Sequence, residues 1–161
     1  VRFSSGYVTA ALCSPSRAGL MTGKYQQRFG HEFNPRNLDG RPEVGLPLDQ
    51  VTMAQRLRGL GYRTGAIGKW HLGSTSAHHP LERGFDEFFG FLRGANSYHL
   101  PTTPGRGLLQ STPAAAAAPL EKPGARAQMF RNRDQVEENE YLTDAFGREA
   151  ASFIERHKAS P

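Results

Sequence analysis

The chain is 161 residues long, with 37% apolar and 10% aromatic residues, enough to build one domain with a core and too apolar for a disordered tail. Its 20 Lys and Arg against 15 Asp and Glu give a net charge of +5, but the two signs are interspersed, so an anionic ligand is admitted and no nucleic-acid partner is expected. A single cysteine, Cys13, excludes an internal disulfide, and no apolar run is long enough to span a bilayer.

Residues 1–12 lean toward an apolar, β-like segment, "YVTAAL". Helix-start grammar follows at once: Ser14 suits an N-cap, Pro15 the first helical position, and Gly23 the end after "RAGLMT". The stretch "NPRNLDGRPEVGLP" has turn residues and no sustained period, so it reads as loop through residue 50. Thr52 and Gln55 then stand in capping-box spacing, opening a helix that closes at Gly59 or Gly61. Next, "YRTGAIGK" predicts a short strand with Ile67 in its apolar body and Lys69, Trp70 and His71 at its exit. In an open α/β sheet the ligand crevice lies beyond the carboxyl ends of the strands, which puts Lys69 and His71 beside it.

The aromatic run "RGFDEFFGFLRG" reads as a packed edge or loop rather than a platform for stacked bases. Residues 101–127 form a low-complexity insertion, with five alanines bracketed by Pro113 and Pro119. Last, Tyr141, Leu142, Ala145, Phe146, Ala150, Phe153 and Ile154 share one face of an amphipathic helix suited to covering a sheet. The fold class is α/β.

Cys13, just ahead of a helix N-terminus, meets unsatisfied N–H donors and the positive end of the helix dipole, which favour a thiolate and an anion. Arg17 adds a planar fork of donors for an oxyanion. The bland alternative is a buried thiol beside a well-capped helix. A cysteine-phosphatase loop does not fit, because Gly19 stands where its arginine belongs. Structural-zinc spacing is absent, and the adjacent His78 and His79 point their rings apart.

Two longer motifs go further. "CSPSRAGLMTG" resembles the first signature of the sulfatase family, and "GYRTGAIGKWHLG" resembles its second. The likeness extends to "VRFSSGYVTAALCSPSR" ahead of the first motif, to "HPLERGFDEFFGFLRGANSY" after the second, and to "YLTDAFGREAASFI". It covers most of the chain, the alanine-proline insertion excepted. The resemblance implies part of the alkaline-phosphatase-like mixed sheet flanked by helices, an incomplete piece of the amino-terminal catalytic domain over 1–161.

The same resemblance implies that a maturation enzyme reads Cys13, Pro15 and Arg17 and converts Cys13 to formylglycine (3-oxoalanine). The hydrated aldehyde then attacks the sulfur of a sulfate ester, displaces the alcohol, and expels sulfate to restore itself. Arg17 would hold the hydrated aldehyde, Lys69 would neutralise sulfate oxygens, and His71 would bond the diol and assist its deprotonation. Sulfatases bind a divalent cation, usually calcium, through acidic pairs together with the modified residue. Of these ligands only Cys13 is expected within this chain, so the chain alone should not hydrolyse anything. The implied substrate is a sulfated sugar or aryl sulfate, and the implied compartment periplasmic, secreted or lysosomal. Two alternatives stand beside this reading: a phosphonate monoester or phosphodiester hydrolase sharing the nucleophile, and a non-catalytic anion-binding module in which Cys13 stays a thiol.

Overall fold

The computed structural model describes residues 2–35, 44–98 and 128–160. Helix α1 runs Cys13–Thr22 and ends where Gly23 takes the left-handed conformation (φ 67°) and returns its N–H to the Gly19 carbonyl. The start differs from expectation: Leu12 is the N-cap, and it gives no side-chain cap. Ser14 lies inside the first turn and is fully buried, its hydroxyl taken up by long-range partners. Pro15 is the third helical residue, still within the turn whose N–H groups have no helical acceptor, so its missing N–H costs no bond. Helix α2, Met53–Gly59, opens on the expected capping box, with the Thr52 hydroxyl accepting from the Gln55 N–H (3.2 Å) and Gln55 Oε1 accepting from the Thr52 N–H (2.8 Å).

Strand β1 (Gly65–Lys69) pairs in parallel with β2 (Glu87–Phe91), Gly65 opposite Glu87 and Lys69 opposite Phe91. Gly68 and Gly90 are partners at the closest approach, since a Cβ on Gly90 would lie 1.9 Å from the Gly68 carbonyl oxygen. Beyond β2 come β3 (Met129–Arg131) and β4 (Asp134–Val136), both antiparallel to their neighbours, giving a mixed sheet in the order β1-β2-β3-β4. The "EFFGF" run is therefore an interior strand, not an edge or loop. Alternation explains this: Phe88 faces a core with Ala18, Leu46, Trp70 and Leu72, while Phe89 and Phe91 face a second core with Met129, Leu142 and Ala145.

Helix α3 (Leu142–His157) covers that second face as its periodicity predicts, burying Leu142 and Ala145 and packing Phe146 edge-on against Phe89. Arg131 ties strand to helix with a two-pronged bond to Glu149 (2.8 and 2.6 Å). Two residues depart from the expected stripe: Ile154 is 67% exposed, and Tyr141, 42% exposed, is the N-cap and not a helical residue.

The "YVTAAL" segment forms no strand. Phe3, Tyr7 and Val8 are exposed, and no described strand lies alongside to complete its hydrogen bonds, which a β-like sequence needs before it becomes a strand. The insertion at 101–127 and residues 36–43 of the long loop lie outside the described residues.

Candidate active site

The two motifs meet at the carboxyl end of β1. Their joint is made by α1 side chains reaching the backbone where β1 exits. Arg17 donates from Nε to the Trp70 carbonyl (2.7 Å) and from a terminal nitrogen to the Lys69 carbonyl. Ser14 sits opposite, with Oγ 2.7 Å from the His71 carbonyl and 2.8 Å from His31 Nε2. The carbonyl can only accept, so the single hydroxyl proton of Ser14 goes to His71 and His31 must donate from Nε2. Burial holds the His31 pKa below the ordinary value, against a hydrogen bond with the Gly45 backbone that raises it. A directed chain results: His31 donates to Ser14, and Ser14 donates to the backbone of His71.

That chain holds a residue in an unfavourable conformation. His71 has φ 58°, a left-handed backbone that a non-glycine residue adopts at a cost of roughly 1–2 kcal/mol. Its N–H is fixed on the Leu92 carbonyl (3.0 Å), and Ser14 fixes its own carbonyl. The ring fits because residue 94 is glycine: a Cβ there would stand 2.7 Å from His71 Cε1 and Nε2. His71 is 5% exposed, and its Nδ1 is buried without a hydrogen-bond partner among the described residues. Burial first, then the charges of Lys69 and Arg17, push its pKa down to about 4. At neutral pH it is an uncharged imidazole with an unused polar nitrogen, able to accept a proton.

Cys13 is the first residue of α1 and is exposed. Desolvation raises its thiol pKa, but the Lys69 ammonium, through charge and a hydrogen bond, together with the Asn34 amide, outweighs that and leaves the thiol below its ordinary value. The four residues expected from sequence, Cys13, Arg17, Lys69 and His71, are thus brought to one place. Arg17 is also committed to the Lys69 and Trp70 carbonyls, so it braces the second motif as well as charging the site. Pro15 is buried in the first turn.

Three residues went unread from sequence. Ser14 read as a cap, and His31 and Asn34 sit in a segment with no period to mark them. Asn34 Oδ1 accepts the Ser14 N–H (2.9 Å), and its Nδ2 lies 3.5 Å from Cys13 Sγ. His78 and His79 have structural duties. His78 Nδ1 meets the Thr75 hydroxyl (2.7 Å) and its carbonyl takes the Trp70 indole N–H, while His79 packs edge-on against Phe88.

The cluster is cationic, and the groups that perturb Cys13, Arg17 and His71 include no carboxylate. Among the described residues no three His, Cys, Asp or Glu side chains gather to hold a metal ion, so these residues do not make a metal site by themselves. No described helix is long and apolar enough to cross a membrane. The arrangement can bind an anion between Lys69, Arg17 and the amino end of α1, beside a polarised group at position 13.

Comparison with known proteins agrees with the motifs. The family model described as Sulfatase matches residues 1–161. The chain is 47% identical to Arylsulfatase G of Homo sapiens over 90 residues, which is 56% of this chain and 17% of that protein. It is 33% identical to Arylsulfatase of Hemicentrotus pulcherrimus over 170 residues, covering 100% of this chain and 29% of the relative. Among solved structures, Ps i-CgsB in complex with k-i-k-neocarrahexaose superposes with a TM-score of 0.73 at 38% identity, over 93% of this chain and 32% of that one. A structure determined with D-glucosamine-2-N,6-O-disulfate as its substrate gives a TM-score of 0.62 at 27% identity, over 99% and 25%. The chain spans about a third or less of the length of each.

Proposed function

Because this chain belongs to the sulfatase family, with the alkaline-phosphatase-like fold of its structural neighbours, we propose that the full-length protein hydrolyses sulfate esters, of a sugar or an aryl alcohol, at the site built on Cys13. The observation that carries this reading is the convergence of Cys13, Lys69, Arg17 and a neutral, buried His71 at the carboxyl end of β1. The sugar class draws support from neighbours solved with k-i-k-neocarrahexaose and D-glucosamine-2-N,6-O-disulfate.

Position 13 is the nucleophile once Cys13 is converted to formylglycine by a maturation enzyme acting on Cys13, Pro15 and Arg17. A hydrated aldehyde there supplies a hydroxyl oxygen to attack sulfur. The chain's own residues do the rest. Lys69, beside position 13, offsets negative charge on the sulfate oxygens as it builds. Arg17 holds the Lys69 and Trp70 carbonyls, which fixes where Lys69 and His71 leave the sheet. His71 is uncharged above about pH 4, so it can take a proton from position 13 at neutral pH. A divalent cation such as calcium would need carboxylates from other parts of the full-length protein, and on this reading the 161 residues alone are inactive.

The test is turnover by the full-length protein, matured at position 13, on a matched pair of aryl sulfate and aryl phosphonate. Faster release of the alcohol from the sulfate is expected. Preference for the phosphonate, or no turnover of either by fully converted protein, overturns the proposal.

A further inference from the structure

Asn34 lies outside both motifs, on the segment after α1, and its amide has an orientation fixed by chemistry rather than by packing. The Ser14 N–H, 2.9 Å away, can only donate, so the amide oxygen faces it and the NH2 group faces the other way. That NH2 nitrogen is 3.5 Å from Cys13 Sγ. The anchored end is tied to a residue with no exposure at all, while the donating end reaches the exposed atom at position 13. One side chain thus caps the otherwise uncapped first turn of α1 and aims a donor at the reacting position.

We propose that Asn34 is a further catalytic residue, donating a hydrogen bond from its amide to the nucleophilic atom at position 13. The proposal rests on the reading of position 13 as the nucleophile. An oxygen placed there in maturation is a stronger acceptor than sulfur, and the bond strengthens as that oxygen gains negative charge. Asn34 transfers no proton, and its N–H bonds stay intact. Its contribution is a fixed dipole that needs no reorganisation during the reaction, and the buried Ser14 keeps it in place.

Asn34→Asp separates this role from a structural one. The carboxylate keeps an oxygen for the Ser14 N–H but has no donor for position 13. In the full-length protein, with conversion of Cys13 verified by mass and the melting temperature checked, kcat on an aryl sulfate at neutral pH should fall about 100-fold, the loss typical of one removed oxyanion donor, with KM little changed. Lowering the pH should restore part of kcat relative to wild type, because a protonated carboxyl regains a donor. Asn34→Asp activity within threefold of wild type, or a deficit that acid does not relieve, overturns the proposal.

A second readout is independent of sulfatase activity. In protein made without the maturation enzyme, Asn34→Asp and Asn34→Ala should each shift the Cys13 thiol pKa upward, read from alkylation rate against pH. Unchanged alkylation in both contradicts the bond to position 13. Absence of wild-type turnover with these shifts present overturns the sulfatase reading instead.

Discussion

Gly94→Ala puts one methyl group against the His71 ring and tests whether the placement of that ring governs the chemistry. The new Cβ would lie 2.7 Å from Cε1 and Nε2 and 3.3 Å from Cδ2, against ordinary contact beginning at 3.4 Å, so the ring must retreat by about 0.7 Å. Retreat by the backbone is closed off, because Leu92 holds the His71 N–H and Ser14 holds its carbonyl. The ring must therefore tilt out of position. A displacement approaching 1 Å at a reacting group costs up to about 100-fold in rate, so kcat of the matured full-length protein on an aryl sulfate should fall roughly 30- to 100-fold. Overpacking should cost about 1–3 kcal/mol of stability, read by urea unfolding. Gly147→Ala is the control: its Cβ meets nothing within 4 Å on α3, so the same chemical change should raise stability by about 0.5–1 kcal/mol and leave kcat alone. Wild-type kcat in Gly94→Ala, with Cys13 fully converted, would refute the argument that ring position matters.

Ser14→Ala orphans the His71 carbonyl and the His31 Nε2–H, at about 1–3 kcal/mol for each buried group, and should release the left-handed backbone of His71. Chemical denaturation checks the stability, and a kcat loss without a matching rise in KM checks the release. His71 also carries a pH signature. Its folded pKa of about 4 lies below the ordinary 6.5, so the unfolded chain binds the extra proton between those values and stability falls as pH drops from 6.5 toward 4, by about 3 kcal/mol in all. Unfolding free energy of His71→Asn measured across that window should lose this slope, and an unchanged slope would contradict the depressed pKa. In protein made without maturation, Lys69→Met should move the Cys13 thiol pKa upward, because the ammonium is the leading influence lowering it, and an unchanged alkylation profile would place Lys69 away from the thiol.

What could be read from sequence was what local rules govern. The Thr52–Gln55 box, the glycine closing α1 at 23 and the Leu142–Ala145–Phe146 part of the α3 stripe depend on neighbours within a turn or two, and each formed where its spacing placed it. The position of Lys69 and His71 at the carboxyl end of a strand was legible, and a strand exit is a recurrent place for a ligand. Partners far apart in the chain were not legible. Ser14 has the side chain of an N-cap, yet its hydroxyl is drawn to His31 and His71, 17 and 57 residues away. Asn34 caps α1 from 20 residues downstream, a bond for which no local spacing rule exists. The "EFFGF" strand looked like an edge because apolar runs do not declare which face they bury. It is interior because two separate cores claim alternate phenylalanines. "YVTAAL" failed in the opposite direction, since β propensity without a neighbouring strand leaves its hydrogen bonds unmade.

On the proposed mechanism, position 13 is a precursor that becomes the nucleophile. Full-length protein produced with graded amounts of the maturation enzyme gives a series in which the peptide bearing Cys13 can be weighed and sulfate release measured on the same samples. Release should rise in proportion to the fraction of Cys13 carrying an aldehyde in place of its thiol and vanish where none is converted. Full sulfate release from protein whose Cys13 remains a thiol would contradict it.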